Sequence, residues 1–234
     1  ASEFRYGREI LNKNALYIFV SQSGETADTI ACAKLLKEKK MHLLALTNTP
    51  NCVLNRICEN VLPTFAGKEF AVASTKAYCC QVFVLFIFSL FLSQKLQDNI
   101  EELIKFTNDF QIQDFDKDLL NKISSFQKIF FVGREKDYIT ALEASLKLKE
   151  ISYINSIAIP AGELKHGTLA LVDENTLVIA ISTEKNVREK LLSNLEEIRA
   201  RGGEVVLVSN FSCKDYIKIP LQTMRENFMP IVSI

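Results

Sequence analysis

Net charge is the first thing this sequence lacks. Its 28 Lys and Arg residues balance 28 Asp and Glu residues, so no overall field draws the chain to nucleic acid or anionic lipid. A local basic site is still allowed. The six cysteines (Cys32, Cys52, Cys58, Cys79, Cys80 and Cys213) include no C-x-x-C pair and no repeated metal-ligand spacing. With no signal-peptide pattern either, reduced thiols in a cytoplasmic protein are expected. Cys79 and Cys80 lie in an apolar run and read as core packing. Long hydrophobic runs are also missing. The greasiest stretch, VFVLFIFSLFL at 82–92, falls well short of the roughly 17–25 residues that span a bilayer. It predicts a buried helix, or one packed against a partner subunit, and no membrane role. There are only two histidines and no Ser/His/Asp order, so neither a metal nor a cofactor is expected.

What is present is an α/β pattern. The 234 residues are 48% apolar and 24% charged, enough to bury a core in one large domain or two small ones. Strand-like runs at 15–20, 42–47, 128–133, 176–182 and 204–210 alternate with helix-like segments at 28–40, 139–151 and 186–200. Such alternation predicts a mostly parallel sheet flanked by helices. The halves also repeat. ALYIFVS (15–21) aligns with TLVIAIS (176–182), LLALTN (43–48) with VVLVSN (205–210), and ASEFRY (1–6) with AGELKH (161–166). A fainter echo links the residues near Pro63 with those near Pro220. The order of the matches predicts one duplicated unit, with a first unit over 1–100, a polar linker over 101–122 and a second unit over 123–234. The register also predicts that both copies are incomplete. The first has no counterpart of the segment from Lys128 to Asn155, the second stops before a counterpart of the 77–93 helix, and residues 1 and 234 are not expected to be natural termini.

Four segments could carry chemistry. SQSGET (21–26) follows a strand, where α/β folds collect ligands. Gly24 permits a tight turn, Ser21, Gln22, Ser23 and Thr26 can donate hydrogen bonds, and a helix start favours an anion such as phosphate. The competing reading is a helix cap, with Ser23 capping and Glu25 and Asp28 complementing the dipole. VASTKAY (72–78) puts Lys76 in a helix's first turn, against the dipole; a bound phosphate or a carboxylate such as Glu69 would account for it. Glu143, Lys147 and Glu150 share one helical stripe, either a solvated face or a carboxylate base and a lysine facing one pocket. His166, in AGELKHG (161–167), reads as a loop acid/base candidate, whereas His42 abuts a strand and reads as structural.

Taken together, SQSGETADT, VASTKAY, ALEASLKLKEISYI and AGELKHGTLALVD resemble the isomerase half of the glutamine–fructose-6-phosphate aminotransferase (glucosamine-6-phosphate synthase) family. The resemblance covers nearly the whole chain. It implies two sugar-isomerase (SIS) domains of flavodoxin-like three-layer α/β/α form, here two incomplete copies, with fructose 6-phosphate or glucosamine 6-phosphate bound between them. It further implies that Ser21, Gln22, Ser23 and Thr26 contact the phosphate and that Val72, Ala73 and Ser74 line the sugar site. Glu150 would be the base moving a proton between C1 and C2, with Lys147 and Glu143 around the sugar. His166 would open the sugar ring from across the interface of a homodimer.

The sequence also departs from that family. On that resemblance, a glutaminase domain, the first unit's opening strand with the loop after it, and the C-terminal tail with its Schiff-base lysine are expected to lie outside this sequence. The parent protein is expected to be the synthase and this chain by itself not a competent one, and a non-catalytic SIS module that binds a phosphosugar as a regulatory ligand is the alternative reading.

Overall fold

The computed structural model describes residues 1–7, 10–70, 73–111, 116–222 and 229–232, the side chain of residue 230 excepted. The chain divides into two compact units, Ala1–Gln97 and Asp98–Ile234.

The first unit runs α1 (Ser2–Tyr6), β1 (Leu16–Ser21), α2 (Ala27–Glu38), β2 (His42–Thr47), α3 (Val53–Ile57), β3 (Asn60–Pro63) and α4 (Lys76–Leu92), and ends within α5 (Leu96–Asp109). Its three strands pair in parallel in the order β1-β2-β3. Phe19, Leu43 and Ala45 on one sheet face pack on Cys32, Ala33 and Leu36 of α2 and on Leu54 and Ile57 of α3. The apolar α4 was expected to be buried, but only Ala77 and Leu90 are, and Phe91 and Leu92 are exposed. Like Cys79 and Cys80, most of the helix is half-buried. No described helix is long and apolar enough to cross a membrane.

The second unit carries the rest of α5, then α6 (Lys117–Ser124), β4 (Lys128–Gly133), α7 (Lys136–Ser152), β5 (Asn155–Pro160), a 3-10 helix (Ala161–His166), β6 (Thr176–Ser182), α8 (Arg188–Arg199), β7 (Glu204–Ser209), β8 (Ile217–Pro220) and α9 (Met229–Val232). Much of the polar stretch 101–122 is therefore helical. Five parallel strands follow the order β5-β4-β6-β7-β8. One face buries Val178, Ala180, Val205 and Leu207 under Leu191, Leu195 and Ile198 of α8. The other buries Ile129, Phe131, Leu177, Ile179 and Ile181, with Ala141, Ala144 and Leu148 of α7 and Leu119 and Ile123 of α6. This is the expected three-layer α/β/α arrangement.

The strand registers reproduce the repeat. Ser21 pairs with Thr47, which pairs with Pro63; Ser182 pairs with Ser209, which pairs with Pro220. Hence β1-β2-β3 corresponds to β6-β7-β8. The difference lies beside the first strand. β6 is flanked by β4, but among the described residues no strand pairs with β1 on that side. On the face that α6 and α7 cover in the second unit, Leu16, Ile18 and Val20 are 44, 41 and 43% exposed, against 0, 8 and 1% for Leu177, Ile179 and Ile181. Truncation to alanine at equivalent positions should therefore have unequal costs. Ile181→Ala is expected to lose about 3–4 kcal/mol, and Val20→Ala less than about 1 kcal/mol, because little apolar surface is withdrawn from water there. Urea unfolding of the two variants measures the difference, and equal losses would contradict it.

Candidate phosphosugar site

The loop after β1 is built around its own hydroxyls. Ser21 is buried at the strand end, and its Oγ accepts the Gly24 N–H at 3.0 Å and lies 3.3 Å from Thr26 Oγ1. Gly24 has φ +68, and a Cβ there would meet Cys52 Sγ at 2.1 Å. Only glycine makes this turn against the buried thiol. The cap reading holds only for Asp28, which stands in the first turn of α2. Thr26 is the N-cap of α2 without a side-chain cap bond, and Ser23 Oγ instead accepts the Glu25 N–H at 3.2 Å. The two carboxylates expected to serve α2 have other partners. Glu25 accepts the Val53 N–H at the start of α3 at 2.8 Å, and Asp28 pairs with Arg5 at 3.2 Å. The backbone N–H groups of Gln22 and Ser23 have no protein partner among the described residues. Two unsatisfied amides, a buried hydroxyl and an uncapped helix start form an anion-compatible cradle.

Asn48 braces this loop, a role that inspection of the sequence missed. Its N–H donates to the Gln22 carbonyl at 3.0 Å, and its Oδ1 accepts from Thr64 Oγ1 at 3.0 Å and from the Ala66 N–H at 2.8 Å. An asparagine just past a strand was the available signal. At the start of α4, Ala73 is buried. Ser74 Oγ donates to Glu69 at 3.0 Å, and the Ala77 N–H reaches the same carboxylate oxygen at 2.9 Å. Glu69 thus complements the helix start, while Lys76 donates to the Lys68 carbonyl and lies 5.9 Å from the Phe70 ring centroid. Val72 lies outside the described residues.

In the second unit, α7 does bring Glu143, Lys147 and Glu150 together. Lys147 Nζ lies 2.7 Å from Glu150 Oε2 and 3.4 Å from Glu143 Oε1. Burial works to lower the lysine, but the hydrogen bond and charge of Glu150, joined by Glu143, outweigh it and hold the group above the usual lysine range. Lys147 is therefore an ammonium that compensates two carboxylates, not a neutral amine. The predicted loop around His166 is a 3-10 helix anchored by buried Ala161 and Leu164. His166 ends it exposed, beside Gly167 at φ +132, with no hydrogen-bond or ion-pair partner among the described residues.

Comparison with known proteins places these features in a family. Residues 1–89 and 122–214 match the model described as SIS domain. The chain belongs to the SIS domain family. This SIS chain is 48% identical over 218 residues to glutamine–fructose-6-phosphate aminotransferase [isomerizing] of Caldanaerobacter subterraneus subsp. tengcongensis, a match covering 88% of the chain and 36% of that protein. The protein of the same name from Fusobacterium nucleatum subsp. nucleatum is 43% identical over 233 residues, covering 94% of the SIS chain and 38% of its own length. The SIS chain thus spans well under half the length of these curated relatives. Among solved structures it resembles the C-terminal domain of glucosamine-fructose-6-phosphate aminotransferase from Francisella tularensis, with TM-score 0.85 and 34% identity over 99% of this chain and 70% of that one. The SIS chain is homologous to the isomerase portion of these enzymes.

Proposed function

We propose that this chain is the isomerase part of a glucosamine-6-phosphate-forming aminotransferase, binding fructose 6-phosphate as substrate. The observation that carries the reading is the 48% identity over 218 residues to a protein of that name. The first unit's part is binding: the Gln22 and Ser23 N–H groups, with the hydroxyls of Ser21, Ser23 and Thr26, surround phosphate oxygens, and Ala73 and Ser74, with Val72, line the sugar. The second unit's part is proton transfer. In the open-chain fructosimine, Glu150 removes the proton from C1, the C1–H electrons form a C1=C2 bond, and the imine nitrogen takes up a proton. The carboxylic acid then returns a proton to C2 while the C1 hydroxyl loses its own, leaving an aldehyde at C1 and an amine at C2. Lys147, held charged by Glu143 and Glu150, orients the Glu150 side chain for both transfers. His166 serves ring opening by exchanging a proton at the ring oxygen, in a homodimer.

Binding is tested by thermal unfolding with millimolar fructose 6-phosphate or glucosamine 6-phosphate. A ligand at about 100 times its Kd stabilises the folded state by about 2.7 kcal/mol, which raises the melting temperature by about 5–10 °C for a chain of this size. The same shift should be lost in Ser21→Ala with Thr26→Ala. No shift in the unmodified chain, or one that survives this pair of substitutions, would refute the phosphate assignment. The alternative, a regulatory SIS module, shares the cradle but has no use for the stripe of Glu143, Lys147 and Glu150.

A further inference from the structure

The register equivalence makes Thr183 and Glu184, directly after β6, the counterparts of Gln22 and Ser23, directly after β1. The two loops differ in what fills them. In the first unit the Gln22 and Ser23 N–H groups find no protein acceptor among the described residues. In the second, the Thr183 and Glu184 N–H groups both donate to Asp137 Oδ2, at 2.8 and 3.2 Å, and Thr183 Oγ1 donates to Asp137 Oδ1 at 2.5 Å. All three residues are buried. A carboxylate held by two successive amides and a hydroxyl has the donor arrangement that would otherwise bind an anion from solution.

Asp137 arrives there on the helix that follows β4. It lies in the first turn of α7, which follows β4 beside β6. Gly133 at the end of β4 permits the approach, since a Cβ there would stand 2.5 Å from the Asp137 carbonyl carbon. The second unit also replaces the hydroxyl of Ser23 with the buried carboxylate of Glu184, which Lys136 pairs at 3.3 Å.

We infer that Asp137 is a built-in anion that closes the second unit's amide cradle to external anions, so that only the first of two equivalent loops is open to a phosphate group. The sense of this selection rests on the phosphate reading of the first loop; the occupancy by Asp137 does not. Burial pushes the Asp137 carboxyl above the usual carboxylate range, against the pull of its Thr183 and Glu184 hydrogen bonds and with a further push from the Glu184 charge. The site therefore holds this charge at a cost, as a plug would.

The test removes the plug in a chain whose first loop has already been disabled by Ser21→Ala and Thr26→Ala. In that background, Asp137→Gly should lower the melting temperature by about 5 °C or more, because buried amides lose their acceptor. Millimolar phosphate, or formate as the smaller probe, should restore part of the loss. Asp137→Asn keeps an oxygen for both amides and should fold with no anion response. Adding Glu184→Ser to Asp137→Gly should strengthen the response. A response to either anion in the single or the double variant supports the plug, and where Asp137→Gly does not fold unaided, anion-dependent folding is the same readout. If neither variant responds to phosphate or formate while Asp137→Asn folds, the inference is overturned. Because the first loop is disabled throughout, this outcome is independent of whether that loop binds sugar phosphate.

Discussion

Glu150→Gln is expected to reduce exchange of the C1 hydrogens of fructose 6-phosphate with solvent deuterium by about 10²–10⁴-fold, the usual contribution of a positioned general base. The substitution removes the proton acceptor and keeps the shape. The fold should tolerate it, because Lys147 retains Glu143 at 3.4 Å and the side chain of Glu150 is only partly buried. Sugar-phosphate binding, read by thermal protection, should change little, since the proposed phosphate donors lie on the loop after β1. Proton NMR in deuterium oxide follows the exchange directly. Exchange at the original rate in the variant would remove Glu150 from the reaction. Protection without detectable exchange in the unmodified chain would favour the regulatory module.

Gly24→Ala is expected to abolish phosphate protection and to destabilise the first unit by about 2–4 kcal/mol. Two costs add. The φ of +68 is unfavourable for any residue with a Cβ, and that Cβ would overlap Cys52, at 2.1 Å from Sγ and 2.8 Å from its Cβ. Cys52 is buried, so the thiol cannot swing into solvent, and overpacking of this kind typically costs 1–3 kcal/mol. Combining Gly24→Ala with Cys52→Ala should recover only part of the stability, because the Cβ clash and the backbone strain remain. Full recovery of stability and of ligand protection in the double variant would show that the turn does not depend on its backbone conformation. Urea unfolding and thermal shift with fructose 6-phosphate measure both effects.

The parallel α/β fold was legible because its evidence is local. KIFFVG and TLVIAIS are strands buried on both faces, and such strands read as unbroken apolar runs. β4 and β6 occupy those residues. The repeat was legible for the same reason, as aligned strands with matching polar ends. What escaped was short or polar. β5, NSIAIP, is brief and ends on proline. The 3-10 helix before Gly167 follows no strong period. In 101–122, α5 and α6 are amphipathic helices hidden among Asp, Asn and Gln.

The candidate site divides in the same way. Motif and resemblance together singled out Ser21, Gln22, Ser23, Thr26, Glu143, Lys147, Glu150 and His166, and the stripe on α7 follows from helical spacing alone. The destinations of the hydrogen bonds do not. Glu25 is sequence-adjacent to α2 yet caps α3, and Asp137 reads as an ordinary acidic residue in a helix's first turn yet bonds across 46 residues to Thr183. By itself the sequence determined the succession of repeated strands along the chain, the glycine turn and the identity of the chemical groups, because each depends on neighbours a few residues apart. Only the tertiary structure decided which of two equivalent loops has free amides. In the second unit that is decided by Asp137, which α7 brings to the Thr183 and Glu184 amides from 46 residues away, and no local pattern in that loop encodes it.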